Sequence, residues 1–458
     1  MSTDGPPPSV LTWRPPSGGP GWAASARARD VLADPQGFGN YMTYRDAYRI
    51  LGMNPADVYH DGGVALDRTE WADLGWMANH IGPSPRALEA MRAAVDAEHV
   101  GPYSPDLDEP LRDVMAERLL GRARDMDFAV IGTEGAQAGV GYSALACLDP
   151  GDEVIVTDPG YFHFVPAFRL AGAVPVHVRL GADNGWRMDP TAVQAAITRR
   201  TKMVVVCDPI NPFGTVQSRE ELLALLHLSE RHRLILLSDT THCAHRVDPS
   251  AQHHSLAALQ REVPGATVLV TSGLAHGYGM AGVRLGALGG PPELVRTCLQ
   301  VKIAVVRLNT SRIAQAGARA ALEDDAWTEA GEAIIRRNLG IVREAASLVV
   351  EPAYGFSCVV RTEGTGASAQ EIMVALVRQR VAVYPGDGLG EVGATTTLRL
   401  NLSDPSEDAY RRLAAVLPDA VADAATGRYR DDVVAFFHGL ETPRGQRLAD
   451  LVRAAHTA

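Results

Sequence analysis

Five apolar runs in this chain each end beside residues able to do chemistry. The last, TVLVTSGLAHGYGMAGVRLGAL (267–288), leads Val268, Leu269 and Val270 into a glycine-rich loop that holds His276 and closes on Arg284. Imidazole moves protons near neutral pH, its unperturbed pKa being about 6.5. A guanidinium closing such a loop suits an anion. After DFAVIG comes TEGAQAGVGYSAL, where Gly135, Ala136 and Gln137 open a helix and offer it free N–H groups, an anion site. DEVIVTD is followed by PGYFHF, which sets Tyr161 at a strand tip, either to stack on a planar ligand or to cover the core. KMVVVCD runs into PINPFGT, where Asn211, Pro212 and Gly214 are turn chemistry. LILLSD ends on Asp239, a carboxylate that needs a positive partner if it is buried, and His242 follows.

These side chains need a scaffold that brings strand ends together. Several of the runs are apolar without alternation, as strands covered on both faces should be. Helical stretches such as DPTAVQAAI and REELLALLHLSERH lie between them. Strands alternating with helices predict an α/β fold with a mostly parallel sheet, whose sites lie beyond the C-terminal strand ends. After about residue 305 come long helices, then GFSCVV, VAVYPG and TTLRLNL, a smaller α+β lobe. The expected organisation is a flexible Pro- and Gly-rich arm at 1–24, an N-terminal part of the small domain at 25–72, a large domain at 73–305 and the rest of the small domain at 306–458.

Charge and composition narrow the partners. A net charge of -11 argues against nucleic acid, whose phosphates need clustered Lys and Arg. No apolar run has membrane-spanning length and no signal-peptide pattern opens the chain, so a cytoplasmic location is expected. The cysteines are five, scattered and without a CxxC pair, which reads as reduced thiols. Lysine occurs only at Lys202 and Lys302.

Taken in order, GAQAG with LDPGDEVIVTDPGY, then NPFGT, LSDTTH, GYGMAGVRLG and VAVYPG…LRLNL, the chain resembles the class I/II aminotransferases. These are fold-type-I enzymes that use pyridoxal 5′-phosphate (PLP), with a seven-stranded sheet sandwiched by helices. The resemblance implies that Gly135, Ala136, Gln137 and Arg284 hold the cofactor phosphate, that Tyr161 stacks on the ring, and that Asn211 bonds its phenolic oxygen. It implies that Asp239 pairs with the ring nitrogen and that Arg399 clamps a substrate carboxylate. Tyr103, in GPYSPD, corresponds to a tyrosine reaching the partner subunit's phosphate, which implies a homodimer acting on a small amino or keto acid.

The departures cluster at one spot. The family's Ser-x-Ser-Lys reads Gly273, Leu274, Ala275, His276, so a histidine stands where the lysine would form its Schiff base. The family's Asp-x-x-Tyr becomes Asp239-Thr240-Thr241-His242, and the threonine of NPTG is Phe213. Imidazole is not a primary amine and cannot form that linkage. The expected cofactor is therefore PLP or its aminated form (PMP), held non-covalently, with His276 as general acid/base beside His242 and Asp239. Ser272 or Thr271 would replace a lost phosphate contact. Three alternatives stand beside this reading: cofactor-free condensation or cyclisation, a metal held by His242, His276 and Asp239, and a non-catalytic binding subunit. Phe213 either narrows the pocket or fills space. Cys243 and His245 read as packing, and His253-His254 as solvated.

Overall fold

The computed structural model describes residues 41–53, 59–60, 65–66, 68 and 70–455; the arm expected at 1–24 lies outside them. The large sheet has seven strands: β1 (Ala129–Thr133), β2 (Glu153–Asp158), β3 (Val174–Arg179), β4 (Thr201–Cys207), β5 (Ile235–Asp239), β6 (Thr267–Gly273) and β7 (Gly286–Gly290). Their order is β1-β7-β6-β5-β4-β2-β3. The β2–β6 pairings are parallel, while β7 runs antiparallel to both β1 and β6.

Both faces of this sheet are covered, which explains the unbroken apolar runs. Ile131, Val154, Val156, Met203, Val205, Leu237 and Leu269 pack with Val140 and Tyr142 of α1 (Ala136–Cys147) and Cys298 of α2 (Pro292–Val306). Their strand neighbours Val130, Ile155, Val204, Val206, Leu236, Val268 and Val270 pack on the opposite side. That second core includes Ala314, Ala318, Ala321 and Leu322, so the helix Arg312–Leu322 packs on the large sheet.

The smaller lobe has a three-stranded antiparallel sheet of β8 (Ser357–Arg361), β9 (Tyr384–Pro385) and β10 (Thr397–Asn401), ordered β8-β10-β9. Its core gathers α3 (Asp325–Ala345), α4 (Asp408–Ala425), α5 (Arg430–His438) and α6 (Pro443–Ala454), together with Tyr44, Trp71 and Leu74 from the N-terminal side. Leu398 and Leu400 point into that core, which turns Arg399 to the other face of β10. Among the described residues no helix is long and apolar enough to cross a membrane.

Candidate active site

The parallel strands deliver their C-terminal ends to one edge, where a cleft opens. Gly135, Ala136 and Gln137 line it after β1, Tyr161 after β2, and Asn211 after β4. Thr241 and His242 follow β5, Ala275 and His276 follow β6, and Arg284 precedes β7. This is the crevice that a strand-order reversal creates in open α/β sheets.

The β1 end turns tightly into α1. Gly135 sits at φ 89°, ψ 170°, a conformation that side chains avoid, and α1 begins directly after it. A Cβ at Gly135 would lie 2.8 Å from Arg284 Nη2. Arg284 donates to the carbonyls of Glu134 at 3.0 Å and Ala281 at 3.1 Å, which ties the β7 entry to the β1 exit. Gly273, where the resemblance calls for serine, has no room for a side chain: its Cβ would come 2.9 Å from the Ala136 nitrogen. Thr271 is committed elsewhere, donating to Ala136 O at 3.1 Å, whereas the Ser272 hydroxyl is buried without a partner.

On the cleft floor Asp239 is 6% exposed, and burial raises its pKa. Its Oδ1 accepts from the Thr241 amide at 2.9 Å and the Thr241 hydroxyl at 2.5 Å. A carboxylate two residues before a threonine is a readable Asx-type spacing, yet Thr241 is absent from the sequence-derived site. Asn211 Oδ1, Gln137 Oε1 and His276 Nδ1 are all buried with no hydrogen-bond partner, although Gln137 Nε2 donates to His163 O at 2.9 Å. The Tyr161 ring meets Phe164 edge-on at 5.1 Å, and burial raises its hydroxyl pKa.

The two imidazoles stack. His242 and His276 lie 5.0 Å apart at 25°, and Phe356 flanks His276 at 5.6 Å. Burial first, then the Arg399 charge, lower the His276 pKa to about 4, with Arg284 adding a smaller push and a Met77 backbone hydrogen bond opposing them. His242 is lowered well below 6.5 by burial, then by His276 and Arg399. Both rings are neutral at pH 7. Asn79 supports this region, donating to His276 O at 2.6 Å and contacting His245 Nε2 at 3.3 Å. Nothing local marks Asn79, which lies far from the loop it holds. Among the described residues, no group of three or more His, Cys, Asp or Glu is arranged to hold a metal.

Other expected residues fall elsewhere. Arg399 is 4% exposed, lies over the Tyr384 ring at 4.2 Å and donates to Gly75 O at 3.3 Å, while its Nε has no partner. No carboxylate pairs with it among the described residues. Tyr103 is 78% exposed and lies under Arg307, so one chain alone does not bring it to the cleft. Phe213 fills space, packing on Trp186 at 4.5 Å. His253 is not solvated: it sits 3.4 Å from Asp208 Oδ2 and 3.5 Å from Cys243 Sγ. Neither lysine reaches the site. Lys302 is fully buried against Asp106 at 2.6 Å, and Lys202 is exposed at the far end of β4.

Comparison with known proteins follows the same lines. A family profile described as aminotransferase class I and II matches residues 72–417. The aspartate/prephenate aminotransferase of Thermus thermophilus is 30% identical over 391 residues, covering 81% of this chain and 98% of that one. The aspartate aminotransferase of Streptomyces avermitilis is 31% identical over 325 residues, 67% of this chain and 78% of the relative. A solved single mutant of Thermus thermophilus aspartate aminotransferase superposes with a TM-score of 0.74 at 26% identity, covering 87% of this chain and all of its own (100%). The Thermus thermophilus enzyme solved with maleate gives 0.72 at 25% identity, with 87% and 100% covered.

Proposed function

The chain belongs to the class I and II aminotransferases, and we propose that it binds PLP or PMP non-covalently and moves a proton at the α-carbon of an amino or keto acid with His276. The observation that carries this reading is the set of buried, unpartnered polar atoms around one cleft: Gln137 Oε1, Asn211 Oδ1 and His276 Nδ1. Each costs on the order of 1–3 kcal/mol unless a polar ligand meets it.

These residues suit the cofactor. The amides at Gly135–Gln137 and the Arg284 guanidinium would take the phosphate. Asn211 would meet the ring oxygen, and Tyr161 would cover the ring face. Asp239, buried and with no cationic partner among the described residues, would pair with a protonated ring nitrogen. When bound, PLP supplies an electron sink for charge developing at the α-carbon. Arg399, a buried guanidinium with no carboxylate beside it, would clamp the substrate carboxylate through two parallel hydrogen bonds.

His276 is neutral at rest and can accept a proton. Two of the influences that weaken it as a base are the charges of Arg399 and Arg284, the same groups that substrate carboxylate and cofactor phosphate would neutralise. Neutralising them would relieve that part of the depression, while burial, the largest influence, remains. The stacked His242 disfavours a second positive charge, so one imidazole of the pair carries the proton at a time. Transamination and elimination both begin with this proton movement. Exposed Tyr103 and the exposed apolar Ile303, Val305, Val306 and Leu308 support a homodimer in which Tyr103 serves the neighbouring site.

The test is deuterium exchange. Protein with PLP and an amino-acid panel in D2O should label the α-carbon of at least one amino acid, read by mass spectrometry. His276→Ala should slow labelling by roughly 100-fold or more. Unchanged labelling in His276→Ala, or no PLP binding by the wild type, sinks the reading.

A further inference from the structure

The C-terminal helix α6 lies beyond residue 417, where the family match ends, yet it packs on the turn that follows Tyr384. Its Arg444 is 2% exposed. One nitrogen, Nη2, donates to the Asp387 carbonyl and to Gly390 O at 3.0 Å, and Nε lies 3.1 Å from Glu391 Oε1. A single guanidinium thus grips three residues of one turn, Gly386–Glu391. Nη2 supplies both hydrogen bonds, while Nε adds charge attraction to Glu391 without one; a lysine's single ammonium cannot occupy both positions.

That turn is a junction. Its Leu389 carbonyl accepts from the Gly160 amide at 2.9 Å, and the Glu391 amide donates to Asp158 Oδ1 at 2.8 Å. Both bonds hold the tip of β2, and Tyr161 is the next residue. At its other end the turn continues from Tyr384, the ring beneath Arg399. Asp387 adds an N-terminal tie, accepting from the Met42 amide at 2.9 Å, and the adjoining Tyr41 packs on Tyr384 at 5.6 Å and on Phe162 at 5.2 Å.

We propose that Arg444 is a positioning residue: from the appended C-terminal helix it locks the Gly386–Glu391 turn onto the β2 tip, and so holds the Arg399–Tyr384 pair in register for a carboxylate ligand. The proposal rests on the assignment of Arg399 as the carboxylate clamp. The anion cradle at Gly135–Gln137 is built on the β1 exit and the β7 entry, and it touches the braced segment only where Gln137 Nε2 donates to His163 O at 2.9 Å. Loss of the brace should therefore weaken carboxylate binding more than cofactor binding.

The experiment uses the full chain carrying Arg444→Lys, and separately Glu391→Gln, a milder change at a partly exposed side chain. PLP affinity is read by absorbance titration, and maleate affinity by its effect on the PLP-bound spectrum. Hydrogen exchange is followed in peptides covering 158–161 and 386–391, without ligand. For Arg444→Lys the expected result is a maleate Kd at least about 10-fold higher, a PLP Kd changed less than about 3-fold, and faster exchange in both peptides but not across β6. Glu391→Gln should move the same readouts in the same direction by a smaller factor, and it decides the matter if Arg444→Lys does not fold. Wild-type maleate affinity, equal losses for PLP and maleate, or unchanged exchange would overturn the proposal. Wild-type protein that binds neither probe sinks the proposed function instead, while the ligand-free exchange still judges the brace.

Discussion

His276 is a weak base set between two guanidinium charges, and that balance can be measured. Its pKa of about 4 reflects burial, then Arg399, then Arg284. Neutralising Arg399 should raise it toward the unperturbed value of about 6.5. An NMR titration of the His276 ring with saturating maleate should shift the midpoint upward, and Arg399→Leu should do likewise without ligand. A midpoint unmoved in both would show that desolvation alone governs the base. The sign also sets the stability trend. The folded pKa lies below the unfolded one, so this contribution is intact above about pH 6.5 and is lost as pH falls toward 4. Most of the site was legible at this scale, because Gly135, Asn211, Asp239, His276 and Arg284 each follow or precede a recognisable strand. Asn79 and Tyr384 were not legible, since their importance comes from contacts with segments distant in the chain.

The strand ends and tight turns decide how these groups meet. Gly135 is the clearest case, with φ 89° and a missing Cβ that would press Arg284 Nη2 at 2.8 Å. Gly135→Ala should lose about 1–3 kcal/mol of stability from backbone strain. It should also raise the PLP Kd by at least about 10-fold; thermal unfolding and absorbance titration would measure the two effects, and a variant with wild-type PLP affinity would dissociate the cradle from cofactor binding. Six strands were readable from apolar runs, the five that end beside site residues and VPVHVRL (174–180), but β7 was not. Its sequence, GALGG, has three glycines in five residues, a poor strand by propensity. Packing imposes them. A Cβ at Gly289 would strike the Phe128 ring at 2.7 Å, and one at Gly286 would meet Ser272 O at 2.5 Å. The antiparallel β7 thereby sits close enough to β1 and β6 to hold Arg284 over the cradle.

As a whole molecule, the chain exposes Tyr103 and a run of apolar side chains at the end of α2, including Val305 at 61% and Val306 at 45%. An apolar surface of this kind marks an interaction face. If the proposed homodimer forms through this face, Val305→Glu with Val306→Arg should give monomer in analytical ultracentrifugation and weaken PLP binding, because Tyr103 would no longer reach a neighbouring site. A dimer unchanged by the double substitution would place the interface elsewhere. Two further features emerge only at this scale. Lys302 is consumed by Asp106 deep inside the large lobe, and Arg444 spans from the last helix to the turn beside Tyr384.

Sequence alone determined the succession of strand ends, the residue types they carry and the imidazole at position 276, because strand periodicity, glycine turns and helix starts are local properties. Tertiary structure decided the charge state of that imidazole, the cover of Tyr384 over Arg399, the outward position of Tyr103 and the reach of Arg444. Each of these depends on desolvation or on a contact between segments far apart in the chain, and no local pattern encodes either.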